Sequence, residues 1–151
     1  MHGESASELY PRLAAQNPVY IAKQLANFAS GERRSTAMQP MAADLTPQER
    51  AALGLYFSRQ KSEPHPGADP RLAAQGEKLY AERCTACHGP RGHGTENLPR
   101  LAGQVSSYLA AQLRSFGARE RTNDNAVMQG IAMQLGEQDI RALAEYLSGL
   151  D

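Results

Sequence analysis

Cys84-Thr85-Ala86-Cys87-His88 decides how the rest of this 151-residue chain is read, because Cys-x-x-Cys-His is the attachment sequence for c-type haem. Each residue type is needed where it stands. Two thiols one helical turn apart add across the two vinyl groups of one porphyrin as thioethers, and the adjacent imidazole reaches the iron. The spacing has two rival readings, half of a zinc site and a redox dithiol. A structural zinc site needs four ligands, but Cys84 and Cys87 are the only cysteines, and His2, His65 and His93 show no paired metal spacing. A thioredoxin-like dithiol needs a βαβ context, which the sequence lacks.

A haem held in this way takes a second axial ligand, and a thioether there favours ferrous iron. Met128, Met133 and His93 are the downstream candidates. His93 sits in the glycine-rich stretch Pro90-Arg91-Gly92-His93-Gly94, too close to His88 to cross to the opposite face. Both methionines are far enough along to return on the distal side, so spacing alone does not separate them.

An internal repeat separates them. Pro11-Arg12-Leu13-Ala14-Ala15-Gln16 matches Pro99-Arg100-Leu101-Ala102-Gly103-Gln104 at an offset of 88 residues. The match continues through Tyr20 with Tyr108, Gln24 with Gln112, Phe28 with Phe116 and Arg33 with Arg121. The second copy then carries two extra residues near Asn123-Asp124-Asn125, after which Met38 aligns with Met128, Leu53 with Leu143 and Tyr56 with Tyr146 at an offset of 90. Met133 falls opposite Ala43, so only Met128 holds a methionine position in both copies, and it is the expected sixth ligand.

With these residues in hand, the chain resembles the class I cytochromes c, and among them the tandem dihaem cytochrome c-four family. The likeness rests on Cys84-x-x-Cys87-His88-Gly89, the two Pro-Arg-Leu-Ala-x-Gln segments, the segments Met38 to Ala42 and Met128 to Ala132, and the closing helices. It implies an all-α protein: a class I cytochrome c fold around one covalent haem c, preceded by a helical half-domain of the same fold. Residues 1–60 are then the distal half of a first domain, 61–70 a linker and 71–151 a complete haem-binding domain.

The departure from the family pattern is as informative. The family carries one attachment motif per domain and hence a second haem, whereas the first copy here has Met38 at the ligand position and no Cys-x-x-Cys-His. His2-Gly3 stands nine residues before Pro11, close to where an attachment histidine is expected, so the proximal half of the first domain reads as missing through a late start or truncation. The polar run from Met1 to Tyr10 has no secretory h-region, although covalent haem attachment in the family implies export to the periplasm.

Period-3.6 patterning predicts five main helices, at 19–30, 47–59, from Pro70 toward Cys84, 105–116 and 137–148, with no sheet. Thr46-Pro47-Gln48-Glu49 and Asp69-Pro70 supply helix starts. Pro64, Pro66, Gly67 and Pro70 mark the linker. At about eighty residues the second domain is small for a core made of side chains alone, and a covalent haem would complete it. The apolar faces of the first copy need a cover, from the second copy or from another copy of the chain, and without one the region is expected to be partly disordered.

Other residues carry weaker expectations. Arg100, with its counterpart Arg12, and Tyr108, with Tyr20, are candidates to reach a haem propionate. Pro99 is expected near the proximal imidazole. Arg119-Glu120-Arg121 reads as a solvated mixed-charge turn. Sixteen basic residues balance sixteen acidic ones, which gives no support to nucleic-acid binding, and no apolar run is long enough to span a membrane. The resemblance implies an electron carrier, not an enzyme, between a cytochrome bc-type quinol-oxidising complex and a terminal oxidase. The alternative is a haem subunit of a dehydrogenase or a peroxidase-type enzyme, the latter requiring an open sixth position on the iron.

Overall fold

In the computed structural model, which describes residues 2–64 and 69–151, eight helices and no strand are found among the described residues. The expected helices are present with small shifts at their ends: α1 (Pro18–Ser30), α3 (Pro47–Ser58), α4 (Pro70–Arg83), α6 (Ser106–Gly117) and α8 (Glu137–Ser148). Three short helices were not foreseen: α2 (Met38–Ala42), α5 (Thr85–His88) and α7 (Val127–Ala132). Of the connecting segment, residues 65–68, including His65, Pro66 and Gly67, lie outside the described residues.

Local chemistry sets the ends. Thr46 Oγ1 accepts the Glu49 amide at 3.2 Å while the Glu49 carboxylate accepts the Thr46 amide at 2.7 Å, a reciprocal cap that starts α3. The Asp69 carboxylate accepts the amides of Arg71 and Leu72, and Pro70 occupies the first helical position of α4. Gly31, at φ 83°, ends α1 in the left-handed conformation that glycine adopts without strain.

α4 crosses α8 so closely that a Cβ built on Gly76 would lie 2.0 Å from the Ala142 carbonyl oxygen. Around that crossing Tyr80, Leu109, Ala110, Ile140, Leu143, Ala144 and Leu147 form the buried core, with Leu79, Cys84, Leu101, Leu113, Leu135 and Tyr146 half-buried at its rim. In the first copy α3 packs on α1, and Gly54 sits against Pro18.

The two copies meet through a reciprocal set of hydrogen bonds. The Gln104 side chain bonds the Arg12 backbone, accepting its N–H at 2.7 Å and donating to its carbonyl at 2.9 Å. The Gln16 side chain does the same to Arg100, at 2.7 and 2.9 Å. Arg33 donates to Tyr108 Oη at 2.7 Å and Arg121 donates to Tyr20 Oη at 3.0 Å. Each arginine also lies over a phenylalanine of its own copy, 4.7 Å above Phe28 and 4.5 Å above Phe116. The pairing is that of a two-fold dimer built within one chain.

Two expectations are corrected. Arg121 is not part of a solvated turn. Its run of charged residues reads as solvated, but the other copy brings Tyr20 and Gln24 to it. His2-Gly3 does not stand where His88-Gly89 stands. The Gly3 carbonyl accepts the amides of Leu13 and Ala14, as the Gly92 carbonyl accepts those of Leu101 and Ala102, so His2 corresponds to Arg91. Counted from those glycines, the loop before Pro11 is one residue longer than the loop before Pro99, which the sequence spacing could not reveal.

Candidate haem site

α4 delivers the attachment turn. Cys84 closes α4, and the single turn of α5 follows at once, with the amides of Cys87 and His88 both donating to the Cys84 carbonyl. Gly89, at φ 79°, stops that turn and releases the chain into the next loop. Neither cysteine is in a disulfide; Cys84 is half-buried and Cys87 exposed. Burial pushes the Cys84 thiol up to about 11.

His88 is 5% exposed, and its Nδ1 lies 3.3 Å from the Pro99 carbonyl oxygen. A carbonyl accepts only, so Nδ1 carries the proton and Nε2 keeps the lone pair that binds a metal. Burial lowers the imidazole pKa against the opposing effect of that hydrogen bond, which keeps the ring neutral. Tyr80, 1% exposed, donates to the Gly89 carbonyl at 2.5 Å and fastens the loop after the turn; burial raises its hydroxyl to about 12.

The other predicted residues fall as follows. Met128 is half-buried on α7, while Met133 is 55% exposed, with its sulfur 4.0 Å from Arg119 Nη2. Met38 is half-buried on α2. The His93 Nε2 is 2.8 Å from the Asp151 backbone oxygen, on the exposed side of its loop. Arg100 is half-buried, with Nε donating to the Ala102 carbonyl at 3.2 Å. The Tyr108 hydroxyl receives Arg33 from the other copy. His2 Nδ1 is 3.2 Å from Tyr56 Oη.

These residues fit a haem. Two uncommitted thiols one turn apart, a neutral buried imidazole with Nε2 unprotonated, and a rim of Leu101, Leu113 and Leu135 left half-covered are what a flat apolar ring with a central metal requires. Among the described residues no group of three or more His, Cys, Asp or Glu side chains is placed to hold a bare metal ion. No helix among them is long and apolar enough to cross a membrane.

Sequence reasoning missed the residues that hold the segment leading to α7. Gln24 and Asn27 of α1 are buried and accept hydrogen bonds from Arg121 and Asn123. The repeated pairs Gln24/Gln112 and Arg33/Arg121 carried the signal, since long polar side chains kept in register in both copies mark a shared contact.

A helix ending in a Cys-x-x-Cys-His turn, crossed by a closing helix, defines a c-type cytochrome, a class that carries electrons. Residues 73–151 match the family model described as Cytochrome c. The chain is 40% identical to cytochrome c4 of Thiocapsa roseopersicina, over 98% of its own length and 82% of that protein's. It superposes on the crystal structure of reduced recombinant cytochrome c4 from Pseudomonas stutzeri with a TM-score of 0.93 at 36% identity, covering 99% of this chain and 90% of that one. A protein of Stutzerimonas stutzeri named thiosulfate dehydrogenase electron acceptor is 37% identical, over 99% of this chain and 76% of that protein. The chain belongs to the cytochrome c4 family, with the class I cytochrome c fold and covalent haem c.

Proposed function

We propose that this chain is a periplasmic single-electron carrier whose haem is bonded to Cys84 and Cys87, with His88 and Met128 as the axial ligands. The observation that carries the assignment is the buried His88 ring on the attachment turn, held by the Pro99 carbonyl. Bound there, the haem supplies a one-electron iron couple. The Pro99 carbonyl keeps His88 in the metal-binding tautomer and fixes its plane. Met128 offers a soft thioether that favours the reduced metal and raises the potential. Residues 71–151 form the haem domain, 1–60 a half-domain docked on it and 61–70 the link. Met38 stands at the family ligand position of a site that has no attachment motif.

A Met128→Ala variant is expected to lose the methionine-to-ferric-iron charge-transfer band in the far red and to lower the reduction potential, while Met133→Ala leaves both unchanged. The reverse pattern would sink the ligand assignment. For partners, the family supports a cytochrome bc-type quinol-oxidising complex upstream and a terminal oxidase downstream. The relative named thiosulfate dehydrogenase electron acceptor supports a second reading of the donor, a soluble dehydrogenase. Stopped-flow reduction by each purified donor separates the two.

A further inference from the structure

The first copy lacks an attachment motif, yet its longest helix holds the segment that leads into the Met128 turn. We propose that Gln24 and Asn27 on α1 are positioning residues for Met128, acting through Arg121 and Asn123 of the other copy. The proposal rests on Met128 as the axial ligand.

Gln24 and Asn27 are 7% and 8% exposed, and buried amides of this kind need partners. The Gln24 Oε1 accepts from Arg121 Nη2 at 3.1 Å and from Asn123 Nδ2 at 3.0 Å. The same Asn123 nitrogen donates to Asn27 Oδ1 at 2.8 Å. The next residue, Asp124, braces the turn itself, its carboxylate accepting the Ala126 amide at 3.2 Å and the Gln129 amide at 3.0 Å. Tether and brace are therefore adjacent in the chain, and Met128 follows within four residues. Asn125 and Ala126, just before Met128, are both left-handed, at φ 55° and 65°, a conformation that asparagine tolerates but that alanine keeps only where the surroundings impose it.

The first copy shows what the second adds. Its loop is two residues shorter, has no residue of positive φ between Arg33 and Met38, and holds the Met38 amide through Ser35 Oγ within its own copy. Arg33 reaches across much as Arg121 does, but among the described residues the first copy shows no counterpart of the Asn123 tether. The extra residues and their cross-copy bonds thus serve the loop in the copy that carries the attachment motif. Loosening them frees the thioether to leave the iron, so an added ligand competes better.

The test uses the full-length, haem-loaded protein in the ferric state, titrated with imidazole while the far-red charge-transfer band is followed. Asn123→Ala and Gln24→Ala are each expected to bind imidazole about tenfold more tightly than the parent, with a weaker band. Gln24→Glu, which keeps an acceptor beside the guanidiniums of Arg121 and of Arg33, whose Nη1 donates to Gln24 Oε1 at 2.9 Å, is expected to restore the parent behaviour. Asn123→Ala serves if Gln24→Ala fails to fold. If Met128→Ala abolishes the band while Asn123→Ala matches the parent in imidazole affinity, the tether is overturned and the ligand reading stands. A lower unfolding temperature with unchanged imidazole affinity also overturns it, assigning the contact to docking alone. If the parent shows no such band, the ligand reading fails and takes the tether with it.

Discussion

α3 and α8 carry the same face, Ala52, Leu53 and Tyr56 in one and Ala142, Leu143 and Tyr146 in the other, and meet opposite fates. Ala142 and Leu143 are 0% and 2% exposed beneath α4. On α3, Ala52 is exposed, Leu53 half-buried and Tyr56 48% exposed, along a shallow groove completed by Leu45 and Glu49. What differs is the element opposite: α3 packs mainly on α1, whereas α8 packs on both α6 and α4. An amphipathic stripe states which side of a helix is apolar; burial is a property of the pair.

The comparison breaks most sharply at Gly76. Replacing it with Ala puts a methyl where the Ala142 carbonyl oxygen already is, so α4 must lift and α8 comes to resemble α3. Unfolding in urea is expected to show a loss of about 4 kcal/mol or more, with faster amide exchange in α8. An unchanged midpoint would mean that the close crossing does not hold the two helices. A finer measure is the matched pair Leu143→Ala and Leu53→Ala. The first removes a core side chain and should cost about 3 kcal/mol, the second about 1 kcal/mol, in the same urea assay. Equal costs would show that α3 is covered in solution.

The smallest effect lies where the copies share a backbone shape but differ in residue. Ala15 and Gly103 donate their amides to Phe57 and Leu147, and both are left-handed, at φ 58° and 68°. Ala15→Gly is expected to stabilise by about 0.5–1 kcal/mol and Gly103→Ala to destabilise by about 1 kcal/mol or more, read from thermal unfolding. A destabilising Ala15→Gly would place the strain elsewhere.

What the sequence disclosed was local or repeated. The caps at Thr46 and Asp69 could be read because the interacting groups are within three residues of each other. The helices of the two copies could be paired because their side chains recur in register. The short helices α2, α5 and α7 were missed because one or two turns carry too few residues to show a period. Arg121 and Asn123 were misjudged or passed over because their partners are about a hundred residues away. His2 was set three residues out of register, against His88 instead of Arg91, because a glycine carbonyl, not a side chain, defines the loop before Pro11. For the site, the turn from Cys84 to His88 was plain in sequence; Tyr80 and the amides of α1 that surround its approach were not.

The paired glutamines Gln16 and Gln104 each grip the opposite strand of chain by its peptide N–H and carbonyl, never by its side chain. Recognition of that kind is indifferent to which residue occupies the gripped position. Evolutionary drift at Arg100 would therefore leave the grip intact, whereas either glutamine, once exchanged, strands two peptide groups at once; Arg12 is held a second time, its buried guanidinium pairing with Glu4 and donating to the Gly103 carbonyl of the other copy. The seam between the copies should thus be read for constancy at its amides and at Arg12, and for latitude at Arg100.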